Sequence, residues 1–75
     1  MTKTVCVWND PNENVFVLIE IAYNALRMDE KPEEAKEMLD NVQMADSYKE
    51  AKKIMLEYVD VVVPVVRDYE VYKVE

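Results

Sequence analysis

The sequence predicts a small α+β domain of βαααβ type, with a short N-terminal strand, three helices and a C-terminal strand. Three observations predict it. Lys3 to Trp8 alternates in character, three stretches between Asp10 and Val59 repeat their apolar residues at helical spacing behind start signals, and β-forming residues take over from Asp60. The 75 residues make one domain, 1–75. A core of that size seldom supplies more than ~3–5 kcal/mol of net stability, so dimerisation would help.

In the first strand Val5 and Val7 fall on one face and Thr4, Cys6 and Trp8 on the other, which calls for cover on at least one side. The turn Asn9 to Asn14 follows. Within it Asp10-Pro11-Asn12-Glu13 offers an N-cap acid, a proline at the first helical position and a glutamate at the third. Val15 to Met28 is then the central helix. Its polar residues Glu13, Glu20, Asn24 and Arg27 recur at i, i+7, i+11 and i+14 and form one narrow stripe. Val15, Leu18, Ile19, Ala22, Ala25 and Leu26 make the main apolar face, and Phe16, Ile21, Tyr23 and Met28 widen it, so this helix should be covered on two sides.

Asp29 to Lys31 breaks the chain, and Pro32 opens a second helix where its missing N–H costs nothing. Glu33 and Glu34 then sit at the positive end of the helix dipole. Ala35, Met38, Leu39, Val42 and Ala45 form a packing stripe, and the opposite face is strongly acidic. Ser47 with Glu50 is a capping box that starts a third helix, Ser47 to Val59. Tyr48, Ala51, Met55, Tyr58 and Val59 make its buried face, with Lys49, Glu50, Lys53 and Glu57 toward water. Val61 to Val74 is rich in valine and tyrosine. Pro64 cannot donate to a ladder, so the segment should lie at a sheet edge or bend there; lacking Gly or Asn at Arg67-Asp68, it reads as one bent strand rather than two. With three helices between them, the first and last strands should run parallel.

Composition narrows the function classes. Glycine is absent, which removes phosphate-cradling loops and the nucleophile elbow. Histidine is absent too, and with it the commonest general base and zinc ligand. A single cysteine, Cys6, excludes an intramolecular disulfide and reads as a small buried apolar residue. The apolar run of the first helix is interrupted at Glu20, short of a membrane span, and no signal peptide fits the N-terminus, so the expected location is cytoplasmic. Sixteen acids against nine bases give a net charge of −7, which opposes direct nucleic-acid binding and favours a basic partner. No catalytic, cofactor or metal-binding residue is assigned, and no cofactor is expected.

Two surfaces are candidates for binding. Val61, Val62, Val63, Val65 and Val66 form a candidate interface, on the reasoning that an unpaired valine-rich edge recruits another strand. Glu33, Glu34, Glu37 and Asp40 form a candidate acidic face for a partner; with Asp29 and Glu30 they could hold a hard cation or imitate the phosphates of a duplex, although a solvated helix face explains them as well. The basic cluster Lys49, Lys52 and Lys53 reads as a solvated face. Trp8, Tyr69 and Tyr72 could stack bases but at strand spacing read as packing.

The order NDPNENVF, IAYNALR, then ADSYKEAKKIMLEYVDV resembles a group of small uncharacterised proteins of bacterial phages, prophages and mobile elements. Asn14, Phe16, Ala25, Leu26, Arg27, Ser47, Tyr48, Met55, Tyr58 and Val59 carry the likeness, which covers about residues 10–61. Pro11, Glu13 and Ala45 stand where glycines are expected in that group, and the tail from Val62 is additional. The resemblance implies a genomic context and no site residues. The functional expectation is a non-enzymatic protein–protein interaction module, self-associating as a homodimer, with an acidic nucleic-acid mimic as the alternative.

Overall fold

The computed structural model describes residues 3–65 and 68–74. It contains β1 (Thr4–Val7), α1 (Val15–Met28), α2 (Pro32–Gln43), α3 (Tyr48–Tyr58), β2 (Val59–Val65) and β3 (Asp68–Val71). The expected α+β class holds, with one correction at the C-terminus: two strands stand where one bent strand was expected. Val65 pairs with Asp68, so β2 and β3 form an antiparallel hairpin whose connecting residues 66 and 67 lie outside the described residues.

β2 is the middle strand, in the order β1-β2-β3. The parallel relation expected of the first and last strands holds for β1 and β2, with Thr4 opposite Val59 and Val7 opposite Val62, while β3, the last strand, runs opposite to both. The crossover between them comprises all three helices. α1 packs on β1 and α3 on β2, while α2 packs on both other helices. Among the described residues no helix is long and apolar enough to cross a membrane.

Pro64 lies in this middle strand, which runs against the expectation of an edge, and the ladder shows how it is tolerated. The Tyr72 N–H donates to the Val61 carbonyl at 2.8 Å. Hydrogen-bonded pairs alternate with open ones along an antiparallel ladder, so Val63–Glu70 and Val65–Asp68 bond while Pro64–Tyr69 does not. The proline nitrogen therefore faces the other flank. There β1 has already ended, its last rung being the Trp8 N–H on the Val62 carbonyl at 3.1 Å. Pro64 thus sits on a locally free edge of a central strand.

The start of α1 is a second correction. Asp10 caps a turn and not the helix: its carbonyl accepts from the Glu13 N–H and its side chain from the Asn12 N–H at 2.9 Å. Proline at the second position of such a turn is favoured because its φ is preset. The N-cap is Asn14, whose side chain accepts from the Phe16 N–H at 2.8 Å. The other starts follow expectation, with Pro32 in the first turn of α2 ahead of Glu33 and Glu34, and the Ser47 hydroxyl accepting from the Glu50 N–H.

The end of α1 turns without glycine. The Lys31 N–H reaches back to the Leu26 carbonyl and the Glu30 N–H to the Arg27 carbonyl. This is the double bond pattern of a Schellman cap, which requires a left-handed residue at its centre. Glu30 occupies that place with φ 60°.

The core is one cluster. Cys6 and Trp8 from the inner face of the sheet meet Leu18, Ala22 and Leu26 of α1, Ala35, Met38 and Val42 of α2, and Ala51 and Met55 of α3, with Val59 and Val61 below. α1 is less enclosed than its breadth suggested. Phe16 and Met28, counted on its widened apolar face, are 75% and 86% exposed.

Candidate functional site

The side-chain alternation of the sheet determines which residues meet water. Thr4, Cys6 and Trp8 point to the helices and are buried, so Val5 and Val7 emerge on the opposite face. Register carries that face across the sheet, because directly paired residues share a side: Val7 lies beside Val62, Val62 beside Val71, and Pro64 beside Tyr69. Val5, Tyr69 and Val71 are each about 60% exposed. No described element covers this face. Parallel strands are ordinarily covered on both faces, so the open side of the β1–β2 pair is an unusual surface for an isolated domain.

The candidate interface of Val61, Val62, Val63, Val65 and Val66 requires correction. The strand that carries it is paired with β3 along Val62–Val65 and with β1 as far as Val62, so its open flank is only the short stretch at Pro64, which has no N–H to offer a partner. Val61 is wholly buried in the core, Val62 and Val63 are half-buried, and Val65 is exposed. Val66 lies outside the described residues. Among the described residues the free edges belong instead to β1 and β3.

A second apolar surface is a groove of about 500 Å³ where the start of α1, the end of α2 and the start of α3 converge. Phe16, Ile19, Leu39, Ala45 and Tyr48 line it, with Asp46 and Ser47 on its wall. Tyr48 was expected in the core. It lies at the surface because its hydroxyl ties α3 to the turn before α1, donating to the Glu13 carbonyl and standing 3.2 Å from that of Pro11.

The acidic face keeps its expected place. Glu33, Glu34, Glu37 and Asp40 are all exposed on α2, interrupted by the exposed Lys36. Among the described residues no three acids or thiols converge as metal ligands would. The basic cluster does not survive folding. Lys49 and Lys53 are exposed, but Lys52 is buried, its ammonium 4.3 Å from the Tyr48 ring centre and 3.2 Å from the Tyr72 hydroxyl oxygen. The Tyr72 ring in turn packs on Trp8 at 5.4 Å between centroids. Of the aromatics weighed as base-stackers, Trp8 is therefore core and Tyr72 half-buried against it, leaving Tyr69 accessible. The indole N–H of Trp8 finds no acceptor among the described residues.

Sequence reasoning missed this lysine. Its spacing signal was present, since Lys52 falls one residue after Ala51 and three before Met55 on the inner side of α3, but a lysine at such a position is normally read as solvated. Two tyrosines make the difference by giving the ammonium a hydrogen-bond acceptor and two ring faces.

Two titratable groups have clear shifts beside β1. Burial pushes the Cys6 thiol up to about 11, which keeps it protonated and unreactive at neutral pH. The Thr4 hydroxyl donates to Asp29 at 2.5 Å, and this bond, followed by the Lys31 ammonium at 3.4 Å, holds the Asp29 carboxyl below its ordinary value. That contact pins the start of β1 to the end of α1. No family model, curated protein or solved structure matches the chain. The surfaces themselves therefore carry the functional argument.

Proposed function

We propose that this chain is a non-enzymatic protein–protein interaction module that associates with itself, serving as an accessory protein of a mobile genetic element. One observation carries the reading: valine, tyrosine and methionine side chains stand in water along one face of the sheet and one side of α1, in a domain too small to spare apolar area. The genomic context is drawn from the resemblance described above.

The mimic reading has less support, because the acids of α2 form one interrupted strip rather than the two rows a duplex presents. Size exclusion with light scattering, at low and high salt over a broad concentration range, tests the proposal. An apolar self-association raises the mass above 8.8 kDa with rising concentration and is insensitive to salt. A mass that stays at that of one chain under every condition removes self-association from the reading.

A further inference from the structure

The two free edges of the sheet differ in a way that selects one of them. The β3 edge carries Asp68 and Glu70, which would meet like charge in a second copy. The β1 edge, Thr-Val-Cys-Val, carries no charge or proline within the strand, two of the protections that ordinarily keep an edge from pairing, and the lysine that flanks it, Lys3, donates its ammonium to the Leu56 carbonyl at 2.8 Å. Its hydrogen-bonding groups can be assigned. Since the Trp8 N–H is turned to β2, those of Cys6 and Thr4 turn the same way, and the N–H and C=O groups of Val5 and Val7 face outward.

α1 lies beside this edge and antiparallel to it. A shallow groove at one end joins Lys3, Thr4 and Val5 to Ala25 and Met28, and another at the far end joins Asn9 and Asp10 to Val17 and Ile21. Val17, Ile21, Ala25 and Met28 therefore form an apolar stripe along the same side of the molecule as the open strand. An edge that no described strand pairs and a helix stripe exposed at Val17 and Met28 and half-buried at Ile21 and Ala25 run side by side and form one surface.

Resting on the reading of a self-associating module, we infer that the partner on this surface is a second copy, joined by antiparallel pairing of β1 with β1 about a two-fold axis at Cys6. That register sets Val5 of each copy opposite Val7 of the other, which brings all four outward N–H and C=O pairs of the two strands into hydrogen-bonded pairs. It also avoids like charge: position 3 of one copy lies opposite position 9 of the other, so the Lys3 end of each strand, its ammonium on the Leu56 carbonyl, meets the Asp10 end of its partner. The product is a six-stranded sheet, with the helix stripes of the two copies facing each other above the seam and Val5 and Val7 of both below it.

Val5→Pro tests the pairing directly. It deletes an N–H that faces away from β2, at an edge position where proline is tolerated, so the fold remains and the dimer is lost. Met28→Glu, at an exposed site on the stripe, gives the same loss without touching a strand and serves if the proline variant does not fold. Amide exchange supplies a readout independent of either variant. At concentrations where light scattering reports a dimer, the Val5 and Val7 amides exchange on the order of a hundredfold more slowly than in dilute monomer. A dimer that survives in Val5→Pro or Met28→Glu, or a wild-type dimer whose Val5 and Val7 amides stay unprotected, overturns this interface while leaving the self-associating module intact. A chain monomeric at every concentration overturns both.

Discussion

Replacing Glu30 by glycine should stabilise the protein. Glu30 holds φ 60° at the centre of the cap that ends α1, and both cap bonds depend on it: its own N–H to Arg27 and the Lys31 N–H to Leu26 at 2.9 Å. A residue with a Cβ incurs about 1–2 kcal/mol in the left-handed region, which glycine escapes. Glycine's greater freedom in the unfolded chain returns about 0.5–1 kcal/mol of that. The net gain expected for Glu30→Gly is thus about 0.5–1 kcal/mol, or roughly 2–8 °C in a domain of this size. Urea unfolding followed by fluorescence of Trp8, the single tryptophan, measures it, at a protein concentration below any association. Glu30→Ala separates backbone from charge: it removes one of the negative charges but keeps the Cβ, so it should gain little. Equal gains in both variants, or none in Glu30→Gly, would refute the backbone argument.

Three further outcomes follow from contacts around the core. Tyr72→Phe removes the hydrogen-bond acceptor of the buried Lys52 ammonium and should cost ~1–3 kcal/mol in the same assay, with Lys52→Met recovering most of it in the double variant; a neutral Tyr72→Phe would show that the tyrosine rings alone satisfy the charge. The Cys6 thiol, pushed up to about 11 by burial, should resist a thiol reagent at pH 8 in the folded protein and react promptly in urea; equal rates would place Cys6 at the surface. The Asp29 carboxyl titrates below its ordinary value when folded, so the stabilisation it gives is complete above that value and is lost as pH falls through the lowered one. Thr4→Val removes the principal cause of the shift and should flatten the acid side of the melting-temperature profile; an unchanged slope would show that Lys31 alone suffices.

The elements that the sequence revealed share one property: their signals are local. Pro32, the Ser47 cap and the apolar stripe of α2 act within a turn or two of chain, and each lies where its spacing placed it. The misreadings came from signals with more than one local use. Asp10-Pro11 starts a turn as readily as a helix, and only Asn14, four residues later, caps α1. The hairpin between β2 and β3 forms without Gly or Asn, the residues that ordinarily announce one.

The open edge of the sheet was misplaced for a different reason. A valine-rich strand can be an exposed edge or a buried centre, and composition is the same in both cases. What distinguishes them is the partner on each side, and here β1, more than fifty residues earlier in the chain, occupies the side that the sequence left open. Once β1 takes that place, the exposed edge transfers to β1 itself, carrying with it a short uncharged strand that composition had marked only as packing. Val5 and Val7, whose face the alternation had already separated from Cys6 and Trp8, then become the accessible apolar residues of the sheet. Which strands lie at the edges of the sheet could be assigned only from the pairing order.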